Sequence, residues 1–269
     1  MRNINSIVFV TSIIFYVCFI SYAQAKDLAS DCQRSAIENR QVLVDIKCVS
    51  TSIAIEKILN SRQGVELKEK QSWFDVVPGN IPVIISAPHA TSPLRNGKRR
   101  FSDGGGTAAL ALAIGKITGA TVIYTTYEGP SDPNYYDDNQ YKDALNKLIK
   151  DKKHDFLLDL HGSHPYRSYD VDLGTMNGKS LLGNDYLLAD LIAYLKADGI
   201  NSISLNRFSA AKNQTITKFA STNDVPAIQL EINATWVTPS DGNINAQRYS
   251  LLVQALSRFV MSSQTKNDQ

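Results

Sequence analysis

Cysteine, tryptophan, methionine and histidine are all scarce in this chain: three, two, three and four among 269 residues. Three cysteines are too few for a disulfide-built scaffold, and none has the C-x-x-C spacing of a thiolate metal or redox site. Strong charge of either sign is missing as well. Lys and Arg total 28 against 26 Asp and Glu, so there is no basic footprint for nucleic acid. "RNGKRR", Arg95 to Arg100, is the one dense basic run, too short to argue for nucleic acid but suited to an anionic substrate. Internal repeats are absent. "SDGGGT" is rich in glycine but lacks the lysine of a phosphate-binding loop.

What is present begins with a processing signal. Residues 1–25 carry Arg2, an apolar run from Ile7 to Ile20, and small residues at Ala23 and Ala25. This is the layout of a secretory signal peptide cleaved after Ala25. The run is shorter than the ~20 residues that span a bilayer, and Thr11 and Ser12 interrupt it. The expectation is an exported protein, periplasmic or secreted, with no stable membrane anchor after cleavage. Cys18 leaves with the signal. Cys32 and Cys48 then form an even pair, expected to close a disulfide within an N-terminal extension, residues 26–75. Residues 76–269 are expected to hold the main domain.

From Ile81 onward short apolar runs recur: "IPVIISAP", "GATVIYTTY", "HDFLLDL", "VDLGTM", "ISL" and "VPAIQLEI". Runs apolar on successive residues suit strands buried on both faces. Helical patterns separate them: "GTAALALAIGKI", Tyr141 to Lys152, and "LLGNDYLLADLIAYLKADG", which Gly199 stops. Near the C-terminus Tyr249, Leu252, Val253, Leu256 and Val260 line one face of a last helix. This alternation predicts an α/β fold, a three-layer sandwich around a mixed, largely parallel sheet. Ligands in such folds bind beyond the C-terminal ends of the strands.

Three groups able to bind metal or move protons stand at such ends. His89 closes "VIISAPH", His161 closes "LLDLH" and Glu231 closes "AIQLE". Two imidazoles and a carboxylate make a three-ligand zinc site with one open position. His89 and His161 are the candidate histidine ligands. Asp159, two residues before His161, shares its face of the strand and is placed to orient the imidazole from behind. Asp103, after a roughly 13-residue loop that marks a functional connection, is the candidate carboxylate ligand; an N-cap is its ordinary role. Glu128 and Asp132, which follow another strand, are the alternatives. Glu231, surrounded by apolar residues, is expected to serve as general base. His164 is expected at the substrate or solvent side, and His154, beside "KDKK", at the surface.

"SAPHA", "DPNYYDDN", "LLDLHG", "YDVDLGT" and "QLEIN", in this order and spacing, resemble the N-formylglutamate amidohydrolase family, related to zinc carboxypeptidases and to aspartoacylase-like hydrolases. The resemblance runs from Ile81 to Val260. It implies a phosphorylase/hydrolase-like fold, one Zn2+, and hydrolysis of an amide bond in an N-acyl amino acid or peptide-like substrate bearing a carboxylate. By position it makes His89 and His161 the zinc histidines and Glu231 the catalytic glutamate, with Asp103 at the acidic position before the first helix. Carboxypeptidases place a glutamate ligand three residues after the first histidine, where this chain has Ser92. Tyr135 follows Asn134 where relatives commonly carry arginine, so Arg167 and Arg207 join Asn134 as candidates for holding a substrate carboxylate. These departures leave room for a non-catalytic binding protein or effector on a hydrolase scaffold, and for a carboxypeptidase, esterase or deacylase using the same site.

Overall fold

A computed structural model describes residues 44–267. The expected signal peptide and Cys32, the expected partner of Cys48, lie outside the described residues. The first element is α1 (Ile46–Asn60), capped by the Asp45 side chain, which accepts from the Lys47 amide at 2.8 Å. It leads to β1 (Phe74–Val77) and β2 (Val83–Ala87), and then to a hairpin of β3 (Leu94–Arg95) and β4 (Lys98–Arg99). Next come α2 (Gly105–Thr118), β5 (Thr121–Thr125), α3 (Gln140–Asp151), β6 (Phe156–Ser163) and β7 (Val171–Gly174). The chain closes with α4 (Tyr186–Ala197), β8 (Ile203–Leu205), α5 (Ile216–Thr222), β9 (Ala227–Asn233), α6 (Ala234–Val237) and α7 (Gly242–Asn267).

Seven strands form one sheet in the order β1-β5-β2-β6-β9-β7-β8. The centre is parallel, β5 to β2, β2 to β6 and β6 to β9, and the two antiparallel pairings are β1 with β5 and β7 with β9. Even-numbered residues of β6, Phe156, Leu158 and Leu160, pack with α1, α2, α4 and α7 on one face. Leu157 faces the other way, toward Tyr141 and Leu145 of α3 and Ile216 of α5. Both faces are therefore apolar, and the α/β three-layer sandwich follows from burying both. Its long core helix α2 reads "GGTAALALAIGKIT", and its alanines let neighbours approach closely. A Cβ on Gly106 would collide with the carbonyl oxygen of Val237, so the absence of a side chain there lets α2 pack closely against α6.

One predicted helix is shorter than its pattern. "LLGNDYLLADLIAYLKADG" is helical only from Tyr186, because Leu182 and Gly183 adopt left-handed backbone angles, φ 52° and 84°. His154, expected at the surface, is buried: its Nε2 bonds the Leu148 carbonyl at the end of α3 at 2.9 Å. No helix among the described residues is long and apolar enough to cross a membrane.

Candidate metal centre

The parallel centre of the sheet carries the candidate residues at its C-terminal edge. His89 lies two residues beyond β2, and His161 and Glu231 each lie two residues before the ends of β6 and β9. β6 and β9 pair in a register that sets His161 directly beside Glu231 and Asp159 beside Gln229. Such neighbours on one face have Cβ atoms about 5 Å apart. Glu231 is held in turn by Gln229, whose Nε2 donates to its Oε1 at 3.1 Å.

Asp103 reaches the same place from the other side. Its amide donates to the His89 carbonyl at 2.8 Å, which closes the loop between the two residues at its base. Its side chain does not cap α2, where Gly104 occupies the N-cap, but turns to the histidines instead. Asp103 Oδ2 lies 2.9 Å from Nδ1 of His161 and 3.6 Å from Nδ1 of His89. The approach depends on Gly162, where a Cβ would stand 2.7 Å from the Asp103 carbonyl oxygen. Ligand atoms of His89, Asp103 and His161 all lie within 4.8 Å of one another.

Both imidazoles are backed by a fully buried aspartate. Nε2 of His161 donates to Asp159 Oδ1 at 3.1 Å, and Thr217 of α5 holds the second oxygen at 3.2 Å. Nε2 of His89 donates to Asp132 Oδ1 at 2.8 Å. Asp132 Oδ2 accepts Nε and Nη2 of Arg95 at 2.9 and 2.7 Å, and the guanidinium stacks on Tyr135 with 4.3 Å to the ring centroid. Each histidine is thus fixed so that Nδ1 points inward, the carboxylate–histidine arrangement that orients metal ligands.

The electrostatics agree. Burial alone would depress both imidazoles, but hydrogen bonds and charge from Asp103 and Asp132 raise His89 to about 9. Asp159 and Asp103 likewise raise His161. Asp103, despite burial, is held down at about 2 by its bonds to the two histidines. Glu231 moves the other way: burial raises it to about 7, and the positive charge of His161 only partly opposes that. The carboxylates around the two rings thus favour their charged forms, as a cation between them would be favoured.

Of the alternative carboxylates, Asp132 stands behind His89 as its orienter, and Glu128 pairs with Arg99 at 3.4 Å while accepting the Gly64 amide. Asn134 sits beside this pair: its amide donates to Asp132 Oδ1 at 2.9 Å, and its Oδ1 accepts the Ile216 amide at 2.8 Å. Arg167 lies over Phe208 and Arg207 over Tyr169, both exposed; among the described residues neither is paired with a carboxylate. Sequence reading missed Arg95 as a site residue and Asp132 as an orienter. Membership of the basic run was the only signal from the first, and a place after a strand the only one from the second. An apolar cavity of about 600 Å³ opens between α1 and the sheet edge, lined by Ile55, Ile58, Val77 and Leu112, but among the described residues no set of metal-binding groups converges there.

No protein-family model matches the chain, and no curated protein does. The crystal structure of N-formylglutamate amidohydrolase from Ralstonia eutropha JMP134 does: TM-score 0.52 and 14% identity, over 72% of this chain and 100% of that one. The two share a fold. A bacteriophage poly-gamma-glutamate hydrolase aligns at TM-score 0.46 and 16% identity, over 76% of this chain and 93% of that one. The succinylglutamate desuccinylase from Chromobacterium violaceum aligns at 0.44 and 15%, over 69% and 65%. The fold expected from the motifs is the fold found.

Proposed function

We propose that this protein is a zinc-dependent hydrolase that cleaves the amide bond of an N-acyl amino acid or peptide-like substrate carrying a carboxylate. One observation carries the reading: Nδ1 of His89 and of His161 converge on the Asp103 carboxylate while each Nε2 is anchored on a buried aspartate. Two imidazoles and a carboxylate, set in surplus negative charge, fit a divalent cation with affinity for nitrogen and oxygen donors. When bound there, zinc supplies Lewis acidity toward a carbonyl and brings the pKa of a bound water to about 7.

The chain's own groups do the rest. His89, Asp103 and His161 hold the cation, and Asp159 and Asp132 fix the ring orientations. Glu231, with its carboxyl raised to about 7, accepts a proton from the attacking water and returns it to the leaving nitrogen, the two halves of general base and acid catalysis. Arg167 and Arg207 are the cations available for the substrate carboxylate, an interaction suited to a planar guanidinium. The amidohydrolase activity of the Ralstonia eutropha protein is compatible with this assignment.

Zinc content and turnover of a panel of N-acyl-glutamates, N-acyl amino acids and short peptides test the reading. One bound metal, lost in His161→Ala, together with hydrolysis of a member of the panel, is the expected result. Unchanged metal content in His161→Ala would overturn the site. Metal without hydrolysis would leave a binding protein on the same scaffold.

Export belongs to the same proposal: removal of residues 1–25, residence in the periplasm or outside the cell, and a Cys32–Cys48 disulfide. Intact mass of the mature protein, measured with and without reductant, checks cleavage and pairing together.

A further inference from the structure

The segment between His89 and Asp103 is tied at its base by the Asp103 amide to His89 carbonyl bond, and it rises into the β3–β4 hairpin. Asn96 and Gly97 turn it, both at positive φ, 52° and 71°, which is the geometry of a tight two-residue hairpin turn. Its inward polar groups are all engaged. Arg95 binds Asp132; Arg99 lies 3.4 Å from Glu128 and donates to the Gly129 carbonyl; the Asn96 amide donates to the Tyr136 hydroxyl at 3.1 Å. The Arg100 amide returns to the Pro93 carbonyl at 2.9 Å.

Three side chains are left over. Lys98 and Arg100 are exposed and carry no carboxylate partner among the described residues, and Phe101 is 97% exposed only two residues before Asp103. Tyr166, 89% exposed, stands on the loop that follows β6, and that strand touches the hairpin's base where Gly162 meets Asp103. Because the hairpin is pinned from within, its outer cations are unavailable to the metal cluster and free for a chain that continues past it.

We infer that the hairpin and Phe101 form a docking arm for an extended acidic chain, an oligomer of carboxylate-bearing residues whose terminal part enters the site. The inference rests on the hydrolase reading for what happens next, but binding to the arm does not depend on catalysis. Two cations attract the carboxylates of the chain, and the aromatic covers its apolar stem. Cations at a rim act chiefly through association, so the attraction weakens with salt.

The test measures fluorescence anisotropy of a labelled oligo-glutamate and a length-matched oligo-glutamine, and in parallel kcat/KM on a small N-acyl-glutamate. For Lys98→Glu/Arg100→Glu the oligo-glutamate Kd is expected to rise about five- to tenfold at low salt. Phe101→Ala should weaken it about threefold. Small-substrate turnover should stay within about twofold of the parent. Equal oligo-glutamate binding by parent and charge-reversed protein overturns the arm, as does equal affinity of the parent for oligo-glutamine. Loss of small-substrate turnover in these variants also overturns it, by placing the residues at the reaction centre. If no substrate is hydrolysed while charge-dependent binding holds, the arm stands and the hydrolase reading falls.

Discussion

Asp132 and His89 lie 43 residues apart in sequence and share a 2.8 Å hydrogen bond, Nε2 to Oδ1, in the interior beside the candidate metal centre. The same aspartate binds Arg95 through its other oxygen. His89 is therefore oriented by a carboxylate that is itself held by a cation on the hairpin.

Breaking that chain has two effects. Asp132→Asn should weaken zinc binding about 10- to 100-fold, the usual effect of losing a partner behind a ligand. It should also destabilise the fold by roughly 2–3 kcal/mol, less than for a fully dry ion pair because Arg95 is a quarter exposed. Competition with a chelating dye measures the first effect and urea unfolding the second. Zinc affinity equal to the parent's would remove Asp132 from the site.

Glu231→Gln keeps shape and hydrogen bonding while removing the proton carrier. Turnover should fall about 10²- to 10⁴-fold with metal stoichiometry unchanged. Steady-state kinetics beside metal analysis separate the two, and full residual activity would rule out the proposed role.

Gly162→Ala tests the close approach of Asp103. The added Cβ meets the Asp103 carbonyl oxygen at 2.7 Å and its Cβ at 3.2 Å, so the loop must move. Overpacking of this kind costs about 1–3 kcal/mol, and the displaced carboxylate should lower zinc affinity at least tenfold. Calorimetric titration of the folded variant reads the change.

pH acts in opposite directions on the metal-free and metal-loaded protein. Without metal, His89 titrates at about 9 against an ordinary 6.5. The stability that this shift contributes is full below 6.5 and is lost as pH rises through about 9. Asp103, held at about 2 against 3.8, contributes stability above 3.8 that disappears as pH falls through about 2. Metal requires both Nδ1 atoms unprotonated, so binding releases protons and apparent zinc affinity should climb from pH 6 to about 9. Chelator-treated protein should lose stability across that span while zinc affinity rises; denaturation and metal titration at matched pH follow both.

Much of the candidate site's geometry was visible in the order of residues. His161 and Asp159 share a face because strand side chains alternate, so the orienting pair needed no tertiary information. His89, His161 and Glu231 stood out because polar groups that end apolar runs mark strand ends, and the parallel sheet brings those ends to one edge. Local pattern misled where one residue's backbone decided the outcome: Gly183, read as part of a helix, breaks it with a positive φ. It also misled at His154, whose basic neighbours suggested water and whose ring bonds a helix carbonyl indoors.

Sequence by itself determined the apolar strands, the helices between them and hence the layered fold, because these depend on periods of two and 3.6 residues that neighbours in the chain carry. Only the tertiary structure decided which carboxylate faces the histidines. Asp103, Asp132 and Glu128 are alike as local sequence, and what separates them is loop closure: one amide bond to His89 turns Asp103 inward, while Arg95 and Arg99 hold the other two behind or away.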